Sequence, residues 1–151
     1  CDLSFFGRKP QHAEITTPEA LDRALPHCDV LVNILPGTPE TAGLLDRRRL
    51  SLLSAEAIFV NIGRGNAVDE PALIDLLRAG KISGCVADVS WQEPLPPEHP
   101  LWDCPNLLLT QHSAGGSMDE ERRKAEGFIR NLNRYRAGEP LEFPANIASG
   151  Y

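Results

Sequence analysis

Ala57-Ile58-Phe59-Val60-Asn61-Ile62-Gly63-Arg64-Gly65 decides how the chain is read. An apolar run rich in β-branched and aromatic residues stops at two glycines that flank an arginine, which describes a buried strand delivering a charge at its carboxyl end. The same grammar recurs on both sides. Val30-Leu31-Val32-Asn33-Ile34-Leu35 is halted by Pro36-Gly37, and Gly84-Cys85-Val86-Ala87-Asp88-Val89 runs into a proline-rich loop. Leu3-Ser4-Phe5-Phe6 reads as an earlier strand and Leu107-Leu108-Leu109-Thr110 as a last one. Runs this continuous predict strands buried on both faces.

Helical signals fill the gaps. Thr17 precedes Pro18 as an N-cap before a first helical proline, and residues 46–53 form a short amphipathic stretch. Asp69 caps a helix through Ala79 whose Leu73, Leu76 and Leu77 fall at i, i+3 and i+4, with Gly80 as its stop. A charged helix over residues 117–137 runs to Gly138. Strands alternating with helices predict an α/β fold, a parallel sheet with flanking helices, plus a C-terminal helix and tail. Residues 1–137 make the region of alternating strands and helices, and 138–151 a tail that docks elsewhere or is loose.

Composition narrows the function classes. With 42% hydrophobic and 24% charged residues the chain is of ordinary globular make-up, neither disordered nor fibrous. No apolar run approaches a membrane span, and no basic start precedes an apolar stretch as in a secretory leader. Fifteen Lys and Arg against 21 Asp and Glu leave a net charge of −6, which argues against nucleic acid as a partner. Cys1, Cys28, Cys85 and Cys104 form no C-x-x-C pair, so no metal site is expected and reduced cytoplasmic thiols are.

In a parallel sheet, ligands sit beyond the carboxyl ends of the strands. That edge would collect Gly7-Arg8, Pro36, Gly63-Arg64-Gly65, Asp88 and His112. Arg64, free of bulky neighbours, suits a bidentate grip on a carboxylate, and equally a solvated turn. His112, before Ser113-Ala114-Gly115-Gly116, suits proton transfer near neutral pH, although a lone histidine is commonly structural. Glu93, between a strand end and Pro94, is either a partner that would raise an imidazole's pKa or a rim carboxylate. His12, His27 and His99 have no such setting. In a dinucleotide fold the residue after the first strand meets the adenosine ribose; Arg8 there is basic, as a 2′-phosphate would need, or equally as a solvated strand end commonly is.

The chain resembles the D-isomer-specific 2-hydroxyacid dehydrogenases, and among them the glyoxylate and hydroxypyruvate reductases. The resemblance rests on Asn33-Ile34-Leu35-Pro36-Gly37-Thr38-Pro39-Glu40-Thr41, on Phe59 through Gly65 with Val68-Asp69-Glu70 and Leu73, on Gly84 through Val89 with Glu93-Pro94-Leu95-Pro96, and on Thr110-Gln111-His112-Ser113-Ala114, in order over about residues 3–140. It implies a Rossmann-like NAD(P)-binding domain and a catalytic set of Arg64, Glu93 and His112. Arg64 would hold the 2-oxo acid's carboxylate, His112 would protonate its carbonyl oxygen, and Glu93 would support His112. Cofactor contacts would fall on Arg8, Leu35, Pro36, Thr41, Ile62, Gly63, Arg64, Asp88, His112 and Ala114. NADP is the expected cofactor, with NAD the alternative. A small anionic 2-oxo or 2-hydroxy acid is the expected substrate and a homodimer the expected assembly.

Two departures accompany the resemblance. Gln111 stands where the family usually has proline before the histidine, and no Gly-x-Gly-x-x-Gly occurs in the sequence. The nucleotide-binding domain is therefore expected to be incomplete, as the C-terminal part of a longer enzyme and inactive by itself. A non-catalytic dinucleotide-sensing or corepressor-like module on the same fold is the competing expectation.

Overall fold

The computed structural model describes residues 1–145. They form two compact units, one from Cys1 through His112 and one from Ser113 onward, a break ahead of the 137/138 boundary suggested by the glycine stop.

In the first unit, helix α1 (Pro18–Ala24) opens as its cap dictates: Thr17 Oγ1 accepts the Ala20 N–H at 3.2 Å. Strand β1 (Val30–Asn33) follows, then the short α2 (Arg47–Leu50), capped by Asp46. Next come β2 (Ile58–Asn61), α3 (Glu70–Arg78) capped by Asp69, β3 (Gly84–Ala87) and β4 (Leu107–Leu109). Each strand ends before its apolar run does. At β1 the reason is visible, because the Asn33 side chain takes the Leu35 N–H at 3.1 Å and turns the chain out of the ladder.

The four strands are parallel and lie in the order β1-β2-β3-β4, with Val32, Val60, Val86 and Leu108 in one register row. A sheet wound in one direction carries its crossovers on one side. The core accordingly joins Leu25, Leu50, Leu73 and Leu77 to Phe59 and Cys85. The opposite side carries Val30, Val32, Ile58 and Leu108 at 40–59% exposure, with a shallow groove of about 430 Å³ along Ile58, Gly84 and Val86. Strands buried on both faces, as the apolar runs predict, are therefore not what forms: one face is covered and one is bare.

The strand expected at Leu3-Ser4-Phe5-Phe6 does not join the sheet. It makes a single parallel bridge, Phe6 to Ile15, with the Ile15 N–H on Phe5 O at 3.1 Å and the Gly7 N–H on Ile15 O at 3.0 Å. A ladder needs a partner of matching length, and Ile15 is followed at once by the residues that cap α1.

The second unit holds α4 (Glu120–Ala137), which buries no residue and is laced along its surface by pairs such as Lys124–Glu120 at 2.7 Å. It ends at Gly138, whose φ of 70° supplies the left-handed cap. The start of the tail folds back on this helix: the Glu142 N–H donates to Asn131 Oδ1 at 2.8 Å, and Arg130 pairs with the Glu142 carboxylate at 3.1 Å. The rest of the expected tail, residues 146–151, lies outside the described residues. Among those described, no helix is long and apolar enough to cross a membrane, and no three His, Cys, Asp or Glu side chains cluster as metal ligands would.

Candidate active site

The carboxyl ends of β1 and β2 are joined by two buried asparagines. Asn33 Nδ2 donates to Asn61 Oδ1 at 2.8 Å, and Asn61 Oδ1 also receives the Gly63 N–H at 3.4 Å. The turns beyond them touch backbone to backbone, since a Cβ on Gly63 would lie 2.8 Å from Leu35 N and O. A Cβ on Gly65 would lie 2.0 Å from Ser90 O. Close approach, rather than an unusual φ, is thus what both glycines of Gly63-Arg64-Gly65 serve. Arg64 between them is extended (φ −139°) and exposed, with Nη1 on its neighbour's Gly63 O at 2.7 Å.

Beyond β3, Asp88 is buried; its N–H reaches Asn61 O at 2.9 Å, and Thr110 Oγ1 donates to its carboxylate. The loop that follows is folded by its own polar groups. The Ser90 N–H donates to Glu93 Oε1 at 3.0 Å, and Ser90 Oγ donates to Gln92 O at 2.8 Å. Glu93 Oε2 lies 2.6 Å from His112 Nδ1. Partial burial opposes ionisation of Glu93. The hydrogen bonds from His112 and the Ser90 amide, with the charges of His112 and Arg64, outweigh it and hold this carboxyl below its ordinary value.

His112 follows β4 with φ of 57°, a left-handed conformation that costs a non-glycine residue on the order of 1–2 kcal/mol. Its side chain is 48% exposed, so the imidazole is held by one carboxylate and otherwise open. With Nδ1 occupied by Glu93, Nε2 is the atom left to exchange a proton. A cavity of about 530 Å³ opens beside the pair, lined by Asp88, Glu93, Pro94, Leu95, Trp102 and His112 among others. Arg64 stands outside that lining and reaches the pair through its charge on Glu93.

The structure therefore brings Arg64, Glu93, His112 and Asp88 to one edge of the first unit. Leu35 and Pro36 leave β1 half-buried, Ile62 leaves β2 at 40% exposure, and Thr41 Oγ1 fastens their loop by donating to Pro36 O. Arg8, exposed, acts on Glu40 of that same loop: backbone and Thr38 hydrogen bonds lower the Glu40 pKa, and the Arg8 charge adds to them. Ala114 falls in the second unit. Sequence reasoning passed over Ser90 and Trp102. Ser90 acts through its backbone amide, which no residue pattern announces, whereas a tryptophan among five loop prolines was a signal for a cavity wall.

The profile for the D-isomer specific 2-hydroxyacid dehydrogenase NAD binding domain matches residues 3–114. A D-isomer specific 2-hydroxyacid dehydrogenase from Xanthobacter autotrophicus Py2, solved with NADPH and MES, is 39% identical and superposes with a TM-score of 0.86 over 97% of this chain and 61% of its own. An NADPH-dependent glyoxylate/hydroxypyruvate reductase from Sinorhizobium meliloti, solved with NADP and sulfate, is 31% identical at the same TM-score, over 97% of this chain and 48% of its own. The mitochondrial formate dehydrogenase of Solanum tuberosum is 34% identical over 96% of this chain and 39% of its length. The chain spans about half the length of the curated relatives it matches. Its parallel sheet, its strand-end residues and these matches together make it a member of the D-isomer specific 2-hydroxyacid dehydrogenase family, carrying the Rossmann-like fold of that family's NAD-binding domain.

Proposed function

We propose that this chain serves a reductase that uses NADP(H) to convert small 2-oxo acids of the glyoxylate and hydroxypyruvate class to D-2-hydroxy acids. The observation that carries the reading is the 2.6 Å pair between His112 Nδ1 and Glu93 Oε2 beside an open cavity, within reach of the Arg64 charge. A carboxylate on Nδ1 fixes the orientation of the ring and leaves Nε2 as the atom that would carry the transferred proton. His112 would then give that proton to the carbonyl oxygen of the substrate. Arg64, exposed and unobstructed by its glycine neighbours, would take the substrate carboxylate in its planar fork. Glu93 orients the ring and stays ionised through the step.

The strand-end surface fits a nicotinamide nucleotide. Leu35, Pro36 and Ile62 offer apolar contact, Asp88 offers a buried carboxylate to an amide, and Arg8 brings positive charge where a 2′-phosphate would lie. When bound, that cofactor supplies the hydride. The resemblance further suggests Thr41, Gly63 and Ala114 as contacts, and a cytoplasmic homodimer, which a solution mass would test.

Replacing His112 with alanine in the intact protein should lower hydroxypyruvate turnover with NADPH by about 10²- to 10⁴-fold while changing the cofactor Kd far less, since His112 is one of many expected cofactor contacts. Undiminished turnover defeats the proposal. A protein that binds the dinucleotide but never turns over, with or without His112, is instead a sensing module. Titration should show NADPH binding more tightly than NADH, and the reverse order removes Arg8 from the site.

A further inference from the structure

Glu70 is an oddity of the fold: a carboxylate at the first position of α3 that is nearly inaccessible, at 8% exposure. An acid in a helix's first turn ordinarily stays wet and interacts with the helix dipole. This one turns both oxygens away to a different segment. Oε2 accepts the Trp91 N–H at 2.9 Å, and Oε1 lies 3.3 Å from His99 Nε2. His99 Nδ1 in turn accepts the Leu101 N–H at 3.3 Å, which puts the proton of a neutral ring on Nε2, facing Glu70. A single buried side chain thus grips the loop at two places, before and after Glu93.

The grip is continuous with the site on both sides. Toward the arginine, only five residues separate Glu70 from Arg64, and Gly65 between them lies against Ser90 with no room for a Cβ. Toward the histidine, the residue next to the gripped Trp91 is Ser90, whose N–H holds Glu93 Oε1, while Glu93 Oε2 holds His112. The cap of α3 is already met by Asp69, whose side chain accepts the Ala72 N–H at 3.0 Å, so the helix does not need Glu70 for that purpose.

We propose that Glu70 is a positioning residue for the Glu93–His112 pair, clamping the intervening loop to the start of α3 so that Glu93 stands at hydrogen-bonding distance from the imidazole. The proposal rests on reading Glu93 and His112 as the acid–base pair, but its physical content does not depend on turnover. Glu70→Gln is the informative substitution. An amide oxygen can still take the Trp91 N–H, whereas its NH2 then faces the His99 Nε2–H, so one hold survives and the other is lost. Glu70→Ala loses both.

The test compares the two variants with the unsubstituted protein by amide hydrogen exchange and by the NMR titration of the Glu93 carboxyl. In Glu70→Ala, exchange at Ser90 and Trp91 should quicken about tenfold or more, as for loss of a charge-assisted hydrogen bond, while the amides of β2 and β3 keep their rates. The Glu93 midpoint should rise, and Glu70→Gln should fall between. In the intact enzyme kcat should drop about tenfold with KM and cofactor Kd held within about twofold. If Glu70→Ala is too unstable to study, Glu70→Gln alone decides, through faster exchange at Ser90 and a raised Glu93 midpoint. A lowered Tm with the Ser90 exchange and the Glu93 midpoint unchanged would make Glu70 a structural anchor only and overturn the proposal. Absence of turnover in the unsubstituted protein, with the Glu93 response intact, would count against the proposed function and leave the clamp standing.

Discussion

Ile58 and Phe59 are neighbours on β2, equally apolar to the eye, yet one is 40% exposed and the other fully buried. They stand for the two faces of the sheet. On the helix side Phe59 and Cys85 are buried and Leu31, Leu107 and Leu109 partly so, whereas on the other side Val32 and Leu108 are exposed and Val60 and Val86 only half-buried. Apolar character places a residue in a strand, but only the position of the helices decides whether it is buried. A chain that winds its strands in one direction supplies helices to one side alone.

The largest test of that contrast is Phe59→Ala, which should cost about 3–5 kcal/mol in urea unfolding because it opens a cavity in close-packed surroundings. Carrying the contrast to the sheet's carboxyl edge, Gly65→Ala should cost about 1–3 kcal/mol, as overpacking does, and should displace Ser90 and with it Glu93. Chemical-shift changes confined to β2 would contradict that displacement. Ile58→Thr keeps the β-branch and should cost less than about 1 kcal/mol by the same urea measurement. A cost approaching that of Phe59→Ala would break the comparison and show that the open face is covered in the protein.

The smallest effect belongs to the rim, where charge rather than packing holds the structure. Because the folded-state pKa of Glu93 is depressed, its pairing contributes stability above the ordinary value of 4.5 and loses it as pH falls through the lower folded value. The Glu93 carboxyl resonance should therefore still report an ionised, paired group at pH 4.5. A midpoint at or above that pH would show the pair to be weaker than the geometry implies.

Much of this was legible in the residues themselves. Apolar runs closed by Pro36-Gly37 and Gly63-Arg64-Gly65 located the strands, and the caps at Thr17, Asp46 and Asp69 fall where the sequence places helix starts. Arg64, Glu93 and His112 were each visible as strand-end or loop groups, because parallel topology carries such positions to one edge. Three things were not legible. Residues 3–6 have strand character but lack a partner of matching length, a property of the rest of the chain rather than of the segment. Which face of the sheet stays bare depends on strand order, which local pattern does not encode. Glu70 looks like an ordinary first-turn acid, and its grip on Trp91 and His99 exists only once two loops meet.

The asparagine bridge between β1 and β2 has a directional consequence. Position 33 must present its oxygen to Leu35 and its nitrogen to position 61, so both ends of that amide are committed and its orientation has no alternative. Position 61 uses only oxygen there, toward Asn33 and Gly63. The two look alike in the sequence, yet an aspartate at 61 keeps every acceptor at the expense of burying a charge, whereas an aspartate at 33 loses the donor on which the crossbar depends.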